Sequence, residues 1–268
     1  MKKFLVLGNP IKHSQSPVIH RQFAQQLGLE ISYDKAEVPL DDFANFVRTF
    51  FAEGGEGLNV TLPFKEQAFA LADVVSPSAK AARAANTLKM KNGELHAYNT
   101  DGRGMLQDIT HRLGWSVRGK RILIVGAGGA VRGILQPLLS ASPEEVVIVN
   151  RTFEKAQKLA AEFGVYAQPI NAIEGSFDMI INATSAGLDG SDIELAATIV
   201  TAQTQCYDML YQVAETPFMA WAKSLGASEM SSGLGMLVEQ AALSFNIWHS
   251  QSPDTRPVFD TIRQQLNL

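Results

Sequence analysis

The chain has 268 residues, a formal net charge of -4, 46% apolar and 19% charged residues, and one cysteine. That length can bury a large core and suits two domains, while the acidic balance gives no basic field for nucleic acid or an anionic membrane. A lone Cys206 excludes an intrachain disulfide and a thiolate metal cluster, and no apolar run approaches membrane-span length, so a cytoplasmic protein with neither nucleic acid nor membrane as partner is expected.

Residues 4–7 predict a first strand, because the apolar run after M-K-K is too short for a signal peptide. Gly8-Asn9-Pro10 stops it, and a helix is predicted over 17–27, with Ser16 as N-cap and Pro17 at the first helical position. Ser14 and Ser16 then stand at the carboxyl end of a strand, where open α/β sheets bind ligands. Two hydroxyls, a histidine and a helix N-terminus suit a small carboxylate or polyol. His13 and His20 have no third partner at metal-ligand spacing, so no metal site is expected.

A second strand is predicted over 31–38 and a helix over 40–51, started by Asp41 or Asp42. The glycines of 54–57 read as a turn and 58–63 as a strand ending at proline. Alternation puts Asn59 and Thr61 on one face, which is wasteful unless that face meets something polar. Lys65 then opens a helix, against the dipole, where Asp or Glu is usual. A solvated lysine is the plain alternative; a functional lysine is the reading that explains the mismatch. Ser76-Pro77 opens a short helix, and residues 86–98 form a hairpin about Asn92-Gly93. Asn86 at its start and Asp101 after its finish are therefore expected to lie close together. A helix over 103–113 follows.

The segment Lys120 to Asn150 reads as strand, glycine turn, helix, strand. Arg121 to Val125 is a short apolar, β-branched run of the kind found in buried parallel strands. It enters Gly126-Ala127-Gly128-Gly129-Ala130, and an apolar helix over 131–141 and a strand over 146–149 complete a dinucleotide-binding half. Gly126 permits the tight turn, Gly128 lets backbone approach a pyrophosphate, and Gly129 or Gly133 lets the helix pack on the sheet; the helix N-terminus favours phosphate. The pattern G-x-G-G-x-x-x-G departs from the strict motif, and a glycine turn without a cofactor is the alternative. An NAD site places Asp or Glu about 20 residues beyond the glycines; here stand Asn150, Arg151 and Thr152. Arg151 can fork onto a 2′-phosphate or stack on adenine, Thr152 can donate to it, and Lys155 or Lys158 adds charge. This favours NADP over NAD, against a plain surface arginine.

Beyond it, helices are predicted over 153–163, 216–225, from 234 to about 248, and 257–266, with strands over 177–181 and 205–209. A polar loop, Asn182-Ala183-Thr184-Ser185-Ala186-Gly187, leaves the first of these strands at the expected cofactor edge. Residues 229–235 introduce the long helix, while Trp221, Phe245, Trp248 and the methionines Met209, Met230 and Met236 read as core.

Taken together, G-N-P-I-x-H-S-x-S-P at 8–17, N-V-T-L-P-F-K at 59–65, A-A-N-T-L at 84–88, N-T-D-G at 99–102, G-A-G-G-A-x-R-G at 126–133, N-R-T at 150–152, I-N-A-T-S at 181–185 and G-L-G-M-L-V-x-Q-A-A at 233–242 resemble the shikimate dehydrogenase family along the whole chain. The resemblance implies an α/β protein of two domains separated by a cleft. One is an N-terminal substrate domain, 1–101, joined by C-terminal helices over 238–268. The other, 102–237, is a Rossmann-like NADP domain with a parallel sheet. The linear reading alone leaves residue 234 onward in the nucleotide domain.

The implied activity is NADPH-dependent reduction of 3-dehydroshikimate to shikimate. The implied substrate residues are Ser14 and Ser16 for the carboxylate, with Asn59, Thr61, Asn86, Asp101, Tyr211 and Gln240 for hydroxyls and ring placement. The implied catalytic pair is Lys65 and Asp101. Cofactor contacts fall on Gly126, Ala127, Gly128, Gly129 and Ala130 for pyrophosphate, and on Asn150, Arg151, Thr152 and Lys155 for the adenine ribose phosphate. Thr184, Met209 and Gly233 fall near the ribose or nicotinamide. One departure is Ser232, where the family often has Asp before G-L-G-M; serine there is expected to cap the long helix or hold a loop. As the hydride arrives, the carbonyl oxygen gains charge that a lysine ammonium can stabilise and protonate. A free lysine is a poor base at neutral pH, so Lys65 and Asp101 are read as a coupled pair. A quinate- or NAD-using member of the superfamily and a non-catalytic sensor on the same fold stay as alternatives, as do monomer and homodimer.

Overall fold

The computed structural model describes residues 1–184, 195–212 and 215–267. The chain forms two compact units, Met1–Gly104 with Leu237–Ile262, and Met105–Met236 with Arg263–Leu268.

In the first unit β1 (Lys2–Gly8), β2 (Ile31–Glu37), β3 (Gly55–Val60), β4 (Val74–Val75), β5 (Thr87–Lys91) and β6 (Glu94–Tyr98) form a mixed sheet in the order β2-β1-β3-β5-β6-β4. The strands β1, β2 and β3 run parallel, while β5 is antiparallel to both β3 and β6. Helices α1 (Ser16–Gln26), α2 (Phe43–Ala52), α3 (Lys65–Leu71), α4 (Pro77–Ala82) and α5 (Asp101–Gln107) connect or follow them. The β5–β6 hairpin turns at Asn92 and Gly93, both with positive φ, 53° and 82°, the conformation that Asn-Gly adopts at low cost.

Three of the departures from the sequence reading have a physical reason. Residues 55–57 lie in β3 rather than in a turn, because Gly57 must admit the Trp248 indole: a Cβ there would sit 2.4 Å from its Nε1. Ser16 is the first helical residue and Gln15 holds the N-cap position, so Ser16 is not the cap. Strand β3 ends at Val60, which leaves Thr61 beyond it instead of on one strand face with Asn59.

In the second unit β7 (Arg121–Val125), β8 (Glu145–Val149), β9 (Tyr166–Ala167), β10 (Met179–Asn182), β11 (Gln205–Asp208) and β12 (Glu229–Ser232) form an all-parallel sheet, in the order β12-β11-β10-β7-β8-β9. Helices α6 (Gly129–Ser140), α7 (Phe153–Phe163) and α8 (Pro217–Ser224) accompany it. Alternate strand residues serve two cores. Ile122, Ile124, Val146, Ile148, Met179 and Ile181 join one cluster; Leu123, Val125, Val147, Val149, Ile180 and Cys206 join another. A sheet buried on both faces explains the unbroken apolar runs. From one edge the strands run third, second, first, fourth, fifth, sixth in the unit's own sequence, the doubly wound Rossmann order, with its switch point between β7 and β10. Strand β12 falls where the sequence suggested only a lead-in to the long helix. The helix predicted over 103–113 is α5 followed by a π-helical turn at Asp108–Arg112. Helices α9 (Leu234–His249) and α10 (Thr255–Gln265) close the chain.

An aromatic stack in the first unit encloses two histidines. The His20 ring lies parallel to Tyr33 at 4.2 Å, and His249 packs on Phe245 at 4.2 Å. Both nitrogens of His20 and Nε2 of His249 are buried without a hydrogen-bond partner among the described residues. Burial, then His249, pushes His20 down to about 3, with Asn59 acting weakly the other way; burial, then Lys2 and Lys89, pushes His249 down to about 4. Well above pH 6.5 both rings are neutral folded and unfolded, and they add no pH dependence. As pH falls below 6.5, the unfolded chain takes up protons that the folded chain refuses, so stability is lost. The urea midpoint should therefore decline from about pH 6.5 toward pH 4, and His20→Phe should flatten that decline; an equally steep decline in the variant would contradict this.

Candidate active site

Four chain segments of the first unit converge on one carboxylate. Asp101 opens α5, and its backbone N–H is held by the Asn99 side chain at 3.0 Å. The ammonium of Lys65, at the start of α3, donates to Asp101 Oδ2 at 2.7 Å, and Asn86 Nδ2 donates to Oδ1 at 2.9 Å. The same Asn86 nitrogen meets Thr100 Oγ1 at 2.8 Å and Gln240 Oε1 of α9 at 3.1 Å. Gly104 lets α9 come this close, since a Cβ there would lie 2.6 Å from the Gln240 nitrogen. The charged pair is neither buried nor free: the side chains of Lys65 and Asp101 keep 27% and 17% exposure. That is the setting for a group that must both hold a proton and reach a substrate.

In the same unit, Ser14 accepts the Ser16 N–H at 3.3 Å in the turn between β1 and α1. Ser14 and Thr61 are half-buried and Ser16 is buried. The Asn59 amide is engaged at both ends: it accepts from Tyr33 at 2.7 Å and donates to the Asn86 carbonyl at 3.1 Å. Among the residues proposed for the substrate, Tyr211 alone belongs to the second unit, after β11. It is half-buried, and burial raises its phenol pKa.

In the second unit the register lines up the strand ends. Val149 pairs with Val125, Val125 with Asn182, Asn182 with Asp208, and Asp208 with Ser232. Gly126, Asn150, Thr184, Met209 and Gly233 therefore all leave the sheet along one carboxyl edge, the binding edge of such sheets. Gly126 has φ +117°, and its N–H bonds Val149 O at 2.7 Å; a Cβ there would press on Thr184 at 3.0 Å across the switch point. Gly128, Gly129 and Ala130 are exposed at the N-terminus of α6, and a Cβ on either glycine would meet open space. Gly129 thus does not bring the helix onto the sheet. The open amide-lined turn is instead suited to an anion. Arg151, Thr152, Lys155 and Lys158 are exposed beyond β8, where Asn150 Nδ2 ties down Thr152 O at 2.9 Å. These residues fit a dinucleotide with a 2′-phosphate. Ser185, Ala186 and Gly187 of the polar loop after β10 lie outside the described residues.

The sequence reading missed Asp208. Its buried carboxyl accepts from Thr216 at 2.6 Å, Asn182 at 3.1 Å and the Leu210 N–H at 3.1 Å. Burial raises its pKa, with those three bonds opposing. Asn182 in turn holds Thr184 through its N–H at 3.1 Å and its hydroxyl at 2.7 Å. A polar residue closing each of two apolar strands was the available signal. Ser232 ends β12 with Gly233 between it and α9, so it does not stand next to the helix it was expected to cap. Among the described residues no three of His, Cys, Asp and Glu gather as a metal site, and no helix is long and apolar enough to cross a membrane.

Sheet order and switch-point turn define the second unit as a dinucleotide-binding α/β fold, and the first unit carries a lysine–carboxylate pair. Family comparison agrees with the fold. Residues 6–88 match the shikimate dehydrogenase substrate binding domain, 108–195 the shikimate / quinate 5-dehydrogenase model, and 233–266 the shikimate 5'-dehydrogenase C-terminal domain. A shikimate dehydrogenase (NADP(+)) of Aeromonas salmonicida is 49% identical over 271 residues, covering 99% of each chain. Among solved structures, an Ael1 enzyme from Pseudomonas putida superposes with TM-score 0.94 at 44% identity, covering 97% of this chain and 98% of that one. Shikimate 5-dehydrogenase from Thermus thermophilus, in complex with NADP(H) and shikimate, gives 0.89 at 36% identity, covering 98% and 99%. The chain belongs to the shikimate dehydrogenase family.

Gly233 supplies a stability test. A Cβ there would fall 2.3 Å from the Met209 carbonyl oxygen, a backbone atom that cannot swing aside. Gly233→Ala should cost about 1–3 kcal/mol and lower the thermal midpoint, followed by circular dichroism; an unchanged midpoint would refute this packing.

Proposed function

We propose that the chain catalyses reversible, NADPH-dependent reduction of 3-dehydroshikimate to shikimate, on the route to chorismate and the aromatic amino acids. The observation that carries this reading is the Lys65–Asp101 contact at 2.7 Å, with the Asn86 amide on the same carboxylate. NADP, when bound, supplies and receives the hydride. The chain's own residues manage the rest. Lys65 as an ammonium hydrogen-bonds the carbonyl oxygen, stabilises its developing charge and delivers the proton. In the oxidative direction the neutral amine accepts that proton. Asp101 orients Lys65 and shares the proton balance with it, so the two act as one coupled pair.

Ser14 and Ser16 are proposed to receive the substrate carboxylate, and Asn59, Thr61, Asn86, Asp101, Tyr211 and Gln240 its hydroxyls and ring. Gly126, Ala127, Gly128, Gly129 and Ala130 receive the pyrophosphate. Asn150, Arg151, Thr152 and Lys155 hold the 2′-phosphate end, and Thr184, Met209 and Gly233 stand by the ribose and nicotinamide. The exposure of Arg151, Thr152 and Lys155 supports this, because a charged ligand has to displace only water there. The reading carries with it a cytoplasmic enzyme of free small molecules, monomeric or homodimeric.

Shikimate oxidation followed by cofactor absorbance with NADP⁺, beside NAD⁺ and beside quinate, is the direct test. Turnover should be fastest with shikimate and NADP⁺; faster turnover of quinate or with NAD⁺ would overturn the assignment. Lys65→Ala should lower kcat by about 10²-fold or more with little change in shikimate binding, and an unaltered kcat would remove Lys65 from the chemistry. Arg151→Ala should raise the KM for NADP⁺ far more than for NAD⁺. Equal changes in both would argue against a 2′-phosphate contact.

A further inference from the structure

Hydrogen-bond directions around Asp101 can be fixed one after another, starting from groups with no choice. A carboxylate only accepts, so Asn86 must present its nitrogen to Asp101 Oδ1 at 2.9 Å. Asn86 Oδ1 then faces the other way and accepts the Thr100 N–H at 2.9 Å and the Thr87 hydroxyl at 3.0 Å. Thr87 gives its only proton to Asn86 Oδ1, so across the 2.7 Å contact Ser244 is the donor, with a proton it shares with the Gln240 carbonyl at 3.0 Å. Ser244 accepts from Asn59 Nδ2 at 3.1 Å. The same nitrogen must donate to the Asn86 backbone carbonyl, at 3.1 Å, which turns Asn59 Oδ1 toward Tyr33, whose hydroxyl donates at 2.7 Å. Every bond from Tyr33 through Asn59, Ser244, Thr87 and Asn86 to Asp101 points the same way.

These groups are shut off from water: Tyr33 is 1% exposed, Asn59 6%, Asn86 3%, and Thr87 and Ser244 0%. Burial drives the Tyr33 phenol well above its ordinary pKa range, although a Ser16 hydrogen bond opposes this, so Tyr33 stays a donor. Donors aligned in series polarise one another, strengthening each bond by about 10–30% in condensed-phase estimates. The last bond strengthened is the N–H on the Asp101 carboxylate, opposite the one from Lys65.

We propose that Tyr33, Asn59, Ser244 and Thr87 are positioning residues, a buried one-way hydrogen-bond chain that holds the Asn86 amide with its N–H on Asp101 and so keeps the carboxylate aimed at Lys65. Asn59 belongs to this chain through both ends of its amide. The inference rests on the reading of Lys65 and Asp101 as the reacting pair.

Thr87 is the place to cut. Valine keeps its shape within β5 but removes the hydroxyl, whereas serine keeps the hydroxyl and removes a methyl. Thr87→Val should lower kcat for shikimate oxidation about tenfold, by misaligning the reacting groups, and change the shikimate KM less than about threefold. Thr87→Ser should restore most of kcat although it leaves a small cavity. A role in packing alone would spare Thr87→Val, which keeps the shape, and impair Thr87→Ser. A Thr87→Val kcat within about twofold of wild type, or Thr87→Ser as impaired as Thr87→Val, overturns the proposal. If Thr87→Val does not fold, Ser244→Ala and Tyr33→Phe are read for the same fall in kcat at steady KM.

Wild-type turnover of shikimate with NADP⁺ decides the functional reading separately. The chain itself can be read with no substrate present, by side-chain amide hydrogen exchange in ¹⁵N-asparagine-labelled protein, with the Asn86 signal assigned through its loss in Asn86→Asp. That amide should be protected in wild type and Thr87→Ser and exchange at least about tenfold faster in Thr87→Val, following the lost hydrogen bond. Equal exchange in all three would overturn the chain even in a fully active enzyme.

Discussion

The contact on which the first unit depends is the ion pair between Lys65 and Asp101. A partly desolvated pair gains from its mutual attraction only if the remaining lone pairs and protons are also satisfied. The fold meets that condition from several sides: the end of β3 delivers the lysine through α3, the end of β6 delivers the aspartate, and Asn86 before β5 supplies the second donor. Lys65 also opens its helix against the dipole, and a partner carboxylate at 2.7 Å offsets that cost. The unfavourable placement and the close anion are two sides of one arrangement. A lysine chosen for helix stability alone would stand at the other end.

The second unit answers a different requirement, the binding of a large anion without a buried positive side chain. Five parallel strand ends held in register bring backbone turns rather than charged groups to one edge. At the switch point the Gly126 turn and Thr184 are in near contact, so β7 and β10 cannot splay apart without loosening the turn that leads into α6. Asp208 performs the matching task between β10, the Leu210 turn and the start of α8, by accepting one bond from each. Its carboxyl is a fastener of that edge. Exposed cations stand at the far end of β8, at Arg151 and at Lys155 one turn on.

What the sequence made legible follows from how local each signal is. The strand–glycine–helix–strand unit was readable because apolar period, positive-φ glycine and helix length all lie within one stretch. The Asn-Gly hairpin and the helix starts at Ser76-Pro77 and Thr216-Pro217 are equally local; the two hydroxyls accept from the Ala79 and Met219 N–H groups at 3.2 Å. Lys65 stood out by violating a local rule. Strand β12 did not, because a polar E-M-S-S run becomes a strand only when β11 is beside it. The start of β3 was hidden because Gly57 answers to Trp248, far along the chain. Thr87 and Ser244 looked like an ordinary strand threonine and helix serine; their hydroxyls matter only once α9 lies against β5.

How α9 is seated therefore decides whether Gln240 and Ser244 reach the site at all. Within the first unit the helix is fixed beyond both residues. Near its C-terminal end, Trp248 Nε1 donates to the Leu88 carbonyl at 3.0 Å, while Lys89 donates to the terminal carbonyls of Ile247 and Trp248 at 2.6 and 3.3 Å. A cation at that end of a helix also meets the negative pole of its dipole. Burial, then Lys91 and Lys2, lowers the Lys89 pKa while Glu56 opposes, so desolvation is the cost of this anchor. On the other side, Gly104 lets Gln240 approach its backbone, and Gly57 lets the Trp248 indole lie on β3. Both contacts would be closed by a single methyl group. A glycine in β3 and a lysine in β5 thus set the depth of α9, and through Ser244 and Thr87 that depth reaches the amide facing Asp101.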